Sequence, residues 1–309
     1  MYPVASPDGK WIAYVSDESG DFEFYIVDPL GKKKAKKLTS TKVWKYPVEW
    51  SPDSKYFVYS DADRKLQLID ISTGKTTLIT KAKSGTIRDY SWSPDSKWIT
   101  FTNRGSNKLG SIWVYSVTTG KSSQITNEMY EDFSPSFSKD GKYIYFVSDR
   151  DFNFSFNDGF STMEFDFVYN KTARIFAVGL TESSPPLFKD KNDLEITPAA
   201  DKKDKDKNDK DKKKDKKKDE KKSVIVKIDF NNLNKRITVF PLPTGRYGGI
   251  TDIGKGKAIY FDNNGLHLFD FKKKKSDLIM SNIRYGSLSA DNKKILYRSG
   301  RTWGITDIK

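Results

Sequence analysis

The sequence predicts an all-β protein made of repeated four-stranded sheets, and three observations support this prediction. A turn followed by an apolar run returns along the chain, first as SPDGKWIAYVSD. Five copies begin 45, 42, 45 and 151 residues apart, and a period in the low forties is typical of one four-stranded unit. The apolar runs are hydrophobic at both parities, as strands covered on both faces are. These features favour a β-propeller.

Each copy begins with a turn whose chemistry can be read from its residues. In Ser6-Pro7-Asp8-Gly9, proline suits the second position of a type I turn and glycine the fourth. The aspartate can accept hydrogen bonds from backbone amides of its own turn. Proline and glycine vary between copies, so we interpret those positions as interchangeable. The aspartate is present in all five copies, and we assign a structural role to Asp8, Asp53, Asp95, Asp140 and Asp291.

Strand patterns between the turns divide the chain into about six blades. Third strands such as FYIVD and LHLFDF follow the apolar runs, and fourth strands end in polar sequences such as KLTS that suit an outer edge. We place the blades at residues 1–43, 44–83, 86–128, 131–243 and 245–281, with an incomplete blade from 283. Residues 1–309 are thus expected to form one propeller domain. Because a ring must close, we expect a fragment of a longer protein, with six or seven blades in the intact ring.

The net charge of +14 is concentrated in part in one segment. Asp201 to Lys222 holds 13 Lys against 7 Asp and 1 Glu, and it contains no apolar residue. Such a segment cannot pack, and we predict a disordered insertion over residues 190–223 within blade four. Alternating acids and the lack of interleaved aromatic residues disfavour a nucleic-acid partner.

Composition narrows the possible compartments and chemistries. The absence of cysteine excludes disulfides, thiol catalysis and cysteine-ligated zinc. The start MYPVASPDGK does not resemble a signal peptide, and no apolar run approaches the length of a membrane helix. We therefore expect no membrane partner and a cytoplasmic location, or a periplasmic one if a signal peptide has been lost upstream.

No catalytic, cofactor-binding or metal-binding residue is predicted. His267 is the single histidine and lies on an alternating strand, which favours a structural role over a triad or a metal site. A G-x-S-x-G elbow is missing, and GRYGG is not a phosphate loop. The stretch DKDKNDKDKKKD lacks the glycine and the final glutamate of a calcium loop.

Charged residues after the second strands offer one candidate site. Arg104 and Arg150 follow these strands in neighbouring blades, and they could line a mouth of the channel and contact peptide carboxylates. The alternative is that each arginine ties down a surface loop. The acidic pairs Glu131-Asp132 and Asp149-Asp151 are interpreted as solvated loop residues.

The repeat pattern resembles the propeller repeats of TolB, of prolyl-oligopeptidase-class peptidases and of tricorn-type serine peptidases. FVSDRDFNFSF and the following FDFVYNKTARIFAVGL resemble the enlarged blade of the tricorn type, and so does VKIDFNNLNKRITVFPLPTGRYGGI after the charged insertion. The resemblance covers the chain outside Asp201 to Lys222. It implies a propeller that precedes PDZ-like and serine peptidase domains and that admits peptides or releases products. No position here matches the family's catalytic motifs, so no catalytic residue is carried over.

Two functions therefore stay open. The first is a non-catalytic module of a tricorn-like peptidase, whose partners are peptides or unfolded polypeptide and the PDZ-like and peptidase domains of the same chain. The second is a TolB-like scaffold that binds a protein partner on one face. The resemblance is compatible with a homo-oligomer in either case.

Overall fold

The computed structural model describes residues 1–151, 172–188, 224–283, 285–289 and 291–308. These residues form six antiparallel sheets arranged as the blades of a ring, and within each sheet the strands follow one another in chain order. Blade one consists of β1 (Val4–Ala5), β2 (Ile12–Ser16), β3 (Glu23–Val27) and β4 (Lys36–Lys37). Blade two consists of β5 (Glu49–Trp50), β6 (Tyr56–Ser60), β7 (Lys65–Asp70) and β8 (Thr76–Lys81). Blade three consists of β9 (Tyr90–Trp92), β10 (Trp98–Arg104), β11 (Gly110–Ser116) and β12 (Lys121–Gln124).

The last three blades include the enlarged and the incomplete one. A short 3-10 helix, Leu233–Arg236, precedes the fourth strand of blade four. Blade four consists of β13 (Asp132–Phe137), β14 (Tyr143–Ser148), β15 (Arg174–Gly179) and β16 (Ile237–Val239). Blade five consists of β17 (Ile250–Gly254), β18 (Lys257–Asp262), β19 (Gly265–Asp270) and β20 (Lys275–Ser281). Blade six consists of β21 (Tyr285–Leu288), β22 (Lys294–Ser299) and β23 (Thr302–Asp307).

The all-β propeller prediction is confirmed, and every predicted blade contains one observed sheet. The last described sheet has three strands, in agreement with the predicted incomplete blade, and its third strand spans the whole of Thr302–Asp307. The predicted insertion at 190–223 falls between β15 and β16 and lies outside the described residues.

The middle strands of the blades are covered on both faces by neighbouring blades. Their sequences predicted this, because their odd-numbered and even-numbered positions are both apolar. All six residues of β14 are buried. Ile144 and Phe146 belong to an apolar cluster shared with blade three, whereas Tyr143, Tyr145 and Val147 belong to a cluster shared with blade five. Comparable clusters lie between blades one and two, two and three, and five and six. Among the described residues, the apolar clusters therefore lie between neighbouring blades.

The repeated turns share one hydrogen-bond pattern. In the first copy, the amide of Gly9 donates to the carbonyl of Ser6 at 2.9 Å, and Asp8 accepts the Ser6 hydroxyl at 2.7 Å and the Lys10 amide at 3.1 Å. The other four turn aspartates accept the same two bonds. A serine hydroxyl and a backbone amide thus hold every one of these carboxylates.

As interpreted from the sequence, the fourth turn position accommodates different residues, which are Gly, Ser or Asn in the five copies. The backbone there is left-handed in every copy, with φ of 54–70°, a conformation that favours glycine. Ser96 holds this position in blade three, and its hydroxyl accepts the amide of Asp53 from blade two at 3.1 Å. Ser54 makes the same contact with Asp8. Serine is less favourable than glycine in this left-handed conformation, but each of these serines forms a hydrogen bond to the preceding blade.

A buried ion pair joins blades one and two. Lys45 and Glu23 are 0% and 1% exposed, and their charged atoms lie 2.8 Å apart. Lys45 also donates to two backbone carbonyls, and Glu23 accepts the hydroxyl of Thr39 and the amide of Lys42. Burial tends to raise the pKa of Glu23, but its hydrogen bonds outweigh this and lower the pKa. Each of the two buried charges therefore has an oppositely charged partner and further hydrogen bonds, which offset the cost of removing a charge from water.

Candidate functional site

The first strands of blades two to five lie side by side around the centre of the ring. Trp50 donates its indole N–H to the carbonyl of Val4 at 3.1 Å. Trp92 repeats the contact one blade further on and donates to the carbonyl of Glu49 at 3.0 Å. Each indole therefore joins a central strand to the central strand of the preceding blade.

Polar side chains continue this central arrangement in the later blades. The carboxylate of Asp89 accepts the amide of Ser134 at 3.2 Å, and the hydroxyl of Ser136 donates to the carbonyl of Ile250. Asp89 and both serines are half-buried. The centre of the ring thus presents hydroxyls, a carboxylate and backbone groups.

Glu49 is an unusual acid on a central strand. Its surroundings exclude enough solvent that burial raises its pKa to about 8, although the residue is partly exposed. Burial also raises the pKa of nearby Tyr90, and Glu49 adds to that effect. The Tyr90 hydroxyl donates to the carbonyl of Pro47. Burial therefore favours the uncharged form of Glu49 more than it would for an exposed glutamate.

Strand direction separates the connections of the ring onto two faces. The turns between first and second strands and those between third and fourth strands lie on one face, called the turn face. Connections between second and third strands and between blades lie on the other, called the mouth face. Arg104 ends β10 and Arg150 follows β14, so both belong to the mouth face.

Arg104 is held by groups of its own and the next blade. Its guanidinium pairs with the carboxylate of Glu131 through two nitrogen atoms and also donates to the carbonyl of Lys108 at 2.8 Å. Glu131 accepts the amide of Gly110 at 2.7 Å as well. The side chain of Arg104 is 37% exposed, which leaves part of it accessible from solvent.

Arg150 is more deeply enclosed than Arg104. One guanidinium nitrogen contacts both carboxylate oxygens of Asp132, at 3.0 and 2.9 Å, and Nε donates to the hydroxyl of Ser148 at 2.8 Å. The guanidinium carbon also lies 4.9–5.3 Å from the ring centres of Phe176, Phe146 and Tyr130. The structure thus commits this arginine to intramolecular contacts, and its contact with peptide carboxylates stays a prediction.

The interpretation of the neighbouring acids as solvated loop residues is wrong for Asp132. This residue opens strand β13 and is 0% exposed. Burial raises the pKa of Asp149, and the charge of Glu131 raises it further. Asp151 pairs with Arg174 at 2.7 Å. Of these acids, Glu131 pairs with Arg104 of blade three, whereas Asp132 and Asp151 pair with arginines of blade four.

His267 occupies a structural position on β19. Its Nε2 lies 2.8 Å from Oδ1 of Asp262, and its ring stacks on Tyr260 with centres 4.8 Å apart. Burial tends to raise the pKa of Asp262, but hydrogen bonds from the Asn264 amide and from His267 outweigh it and lower the pKa. Within the described ranges, no three acidic or histidine side chains are arranged to hold a metal ion.

Several features of the centre were not recognised from the sequence. The sequence could have predicted a shared role for Trp50 and Trp92, because a tryptophan directly precedes the turn in both EWSPD and SWSPD. The surroundings of Glu49 and Asp89 had none, because they depend on residues from neighbouring blades.

Comparison with known proteins gives a consistent result. The family described as tricorn protease second beta propeller domain matches residues 3–309. A Sulfurisphaera tokodaii protein named as a tricorn-like protease C-terminal subunit is 30% identical over 251 residues, which cover 81% of this chain and 27% of that protein. A TolB homolog of Chlorobium chlorochromatii is 30% identical over 146 residues, which cover 46% of this chain and 32% of that protein.

The same comparison extends to solved structures. The crystal structure of the tricorn protease superposes with a TM-score of 0.75 at 19% identity, and the match covers 97% of this chain and 28% of that one. The chain therefore spans about a quarter of the length of the tricorn-type proteins that it matches. Among the described residues, no helix has the length and apolarity needed to span a membrane.

Proposed function

Because the chain belongs to the family of tricorn protease second β-propeller domains, we propose that it is a non-catalytic module of a tricorn-like serine peptidase. In this role the ring admits or filters peptide substrate, or lets product leave, while bond cleavage occurs elsewhere in the parent protein. The proposal rests on the family match over residues 3–309.

The character of the central strands supports passage of an extended chain. Hydroxyls and backbone groups can exchange hydrogen bonds with a peptide backbone without selecting its sequence. Burial raises the pKa of Glu49 and so disfavours a charge that would retain or repel a passing chain. An extended peptide is also narrower than a helix with its side chains, which is about 10–12 Å across. A ring matched to the former excludes folded domains.

Binding of an unfolded polypeptide by the isolated chain tests this proposal. The probe is fluorescein-labelled α-lactalbumin, reduced and alkylated to keep it unfolded, with its native form as the comparison. We expect anisotropy to report binding of the unfolded form alone. Ser91→Trp adds bulk on central strand β9 and should weaken binding at least fivefold, whereas Ser72→Trp on an exposed turn should not. Equal binding of both forms, or no effect of Ser91→Trp, would contradict passage through the centre.

A peptidase assay tests the non-catalytic part. The isolated chain should not hydrolyse a fluorogenic peptide. Hydrolysis that persists after removal of contaminating proteases would count against the proposal.

The predicted partner domains of the parent protein belong to the same proposal. Trp303 and Ile305 on β23 are 54% and 68% exposed, and an apolar sheet face of this kind supports contact with another part of the parent or with a second copy. The cytoplasmic location, with the periplasm as alternative, and the exclusion of nucleic acid likewise stay predictions. If deletion of Lys202 to Lys222 left a salt-sensitive DNA affinity unchanged, the insertion would not be its source, and the rest of the surface would need to be tested.

The TolB-like scaffold is the alternative function, and the 30% identity to a TolB homolog over 146 residues favours it. In that case the ring would bind one folded protein on a face, and blocking its centre would have no effect. Pull-down of a single stoichiometric partner whose binding survives Ser91→Trp would favour the scaffold over the peptidase module.

A further inference from the structure

Arg88 is an arginine of the mouth face that has no acidic partner among the described residues. It lies two residues before the central strand β9 and is exposed. Its guanidinium carbon lies 4.6 Å from the ring centre of Tyr46, and no described carboxylate lies within ion-pair distance of it. Arg104 and Arg150 on the same face are each paired with a carboxylate. The hydrogen-bond donors of Arg88 are therefore open to a ligand.

Tyr46 is held in place by a short bridge between two connections of the mouth face. Lys45 and Asp61 form an isolated antiparallel bridge, and the amide of Tyr46 donates to the carbonyl of Ser60 at 3.0 Å. Alternate side chains of an extended segment point to opposite sides. Trp44 and Tyr46 therefore lie on the side of the bridge opposite the side chain of Lys45.

The buried ion pair of Lys45 and Glu23 fixes this orientation. Nζ of Lys45 lies 2.8 Å from the Glu23 carboxylate and also donates to the carbonyls of Phe22 and Val43, at 2.7 and 2.9 Å. Turning Tyr46 inwards would separate the two charges, and an unpaired charge in the interior is strongly unfavourable. The side of the bridge that carries Tyr46 therefore faces away from the interior.

Aromatic rings extend this outer side of the bridge towards blade one. The ring of Phe22 packs edge-on against Trp44, with ring centres 4.6 Å apart and an angle of 61° between the planes. Phe22, Trp44 and Tyr46 are each half-buried, so part of each residue is accessible to solvent. Together with Arg88 they reach from blade one to the start of blade three, and we call these four residues the entrance row.

The charges of the connection that carries Arg88 favour an anion. From the end of β8 to the start of β9, the chain has the cations Lys81, Lys83 and Arg88 against one acid, Asp89. All three cationic residues are exposed, whereas Asp89 is half-buried. The carboxylate of Asp89 accepts the amide of Ser134 in blade four at 3.2 Å. The exposed charge of this connection is therefore positive.

A cavity of about 180 Å³ lies beside Arg88. Arg104, Asp89 and Thr86 also contribute to its lining. Its volume is below the roughly 300 Å³ at which small-ligand sites begin, so it can take one chemical group and not a whole ligand. Arg104 already pairs with Glu131, so Arg88 is the guanidinium of this cavity that is open to a ligand.

We propose that Arg88 binds a carboxylate of an extended peptide, while Trp44 contacts an apolar side chain of the same peptide. A guanidinium stacked on a ring keeps its in-plane donors free, and these match the two oxygens of a carboxylate. Because stacking on Tyr46 preorganises the guanidinium, less freedom is lost on binding. The proposal deepens the peptide role given above, and it rests on that role only in taking a peptide as ligand.

Isothermal titration of the whole chain at pH 7.5 with capped pentapeptides tests the proposal. The reference peptide has leucine at the second position, glutamate at the fourth and glycine elsewhere. We expect it to bind about tenfold more tightly than the same peptide with glutamine for glutamate, and about threefold more tightly than the peptide with glycine for leucine. A further peptide without glutamate but with a free C-terminus shows whether a terminal carboxylate binds as well as a side-chain carboxylate.

Variants of the entrance row separate its two contacts. Arg88→Met should weaken the reference peptide about tenfold and remove its advantage over the glutamine peptide. Arg301→Met is the matched control, because Arg301 is exposed between β22 and β23 on the mouth face of blade six, and it should leave affinity unchanged. Trp44→Ala should remove the advantage of leucine over glycine, while the preference for glutamate persists and far-UV circular dichroism stays unchanged.

The possible results separate this proposal from the proposed function. Equal affinity for the glutamate and glutamine peptides, an unchanged affinity of Arg88→Met, or absence of binding of every peptide would overturn the carboxylate site. An advantage of leucine that persists in Trp44→Ala would overturn the apolar contact. Passage of unfolded polypeptide is measured with Ser91→Trp on the central strand, so it can succeed where the preference for a carboxylate fails.

Discussion

Truncation of Arg150 should destabilise the protein far more than truncation of Arg104. Arg150→Met leaves the carboxylate of Asp132, whose side chain is 0% exposed, without its paired cation. Breaking a buried pair in this way costs about 3–5 kcal/mol. The loss of three cation–ring contacts adds roughly 0.5–1 kcal/mol each. Arg104→Met breaks a pair with Glu131 whose side chains are 37% and 21% exposed, and such pairs contribute about 1 kcal/mol or less.

Urea denaturation followed by tryptophan fluorescence measures this difference. The double variant Asp132→Asn/Arg150→Met should recover about 2 kcal/mol relative to Arg150→Met, because it removes the uncompensated charge. The m-value should stay constant, so that the change in midpoint reports stability. Equal cost for the two arginine variants, or a cost below about 1 kcal/mol for Arg150→Met, would refute the assignment of Arg150 to the fold. It would also favour the predicted contact of Arg150 with peptide carboxylates.

Other variants address the turns, the centre and a strand edge. Ser96→Ala loses the hydroxyl that accepts the Asp53 amide and should lower the free energy of unfolding, measured in urea, by about 1 kcal/mol. Ser96→Gly should lower it less, because glycine favours the φ of 59° at this position. A larger loss for Ser96→Gly than for Ser96→Ala would contradict this role of the turn backbone. Burial raises the pKa of Glu49 from 4.5 to about 8, so the folded state binds the extra proton and stability should fall as pH rises through this window. Glu49→Gln should remove the fall, about 1–2 kcal/mol after solvent screening, and parallel pH profiles of the two proteins would argue against it. Gly265→Ala places Cβ 2.0 Å from the Met280 carbonyl oxygen at φ 143° and should lose more than about 2 kcal/mol; an unchanged melting temperature would show that β19 and β20 do not approach as described.

The blade boundaries could be predicted because their signals are local. Each turn uses residues within five positions of one another, such as Ser6 and Trp11. The both-parity apolar strands require cover on two faces, and in β14 the alternate residues reach different neighbouring blades. Turn chemistry and strand burial thus repeat with the period of the fold.

The role of the charged residues could not be predicted in the same way. Sequence placed Arg104 and Arg150 together on one face, yet it could not show that Arg150 is enclosed by three rings while Arg104 stays partly exposed. The sequence also predicted that Asp132 is exposed to solvent, whereas it is buried. No neighbouring residue in the chain indicates that an acid beside a strand is buried.

The amino-acid sequence by itself determined the type of blade, the number of blades in the chain and the turns that start them, because those depend on neighbours in the chain. Only the tertiary structure decided which charges are buried and where pockets form. Asp252 meets the amide of Lys139 across 113 residues, and Ser96 meets Asp53 across 43. Contacts of this kind exist only when separate blades are packed against one another, since no pattern within one blade specifies its neighbour's side chains.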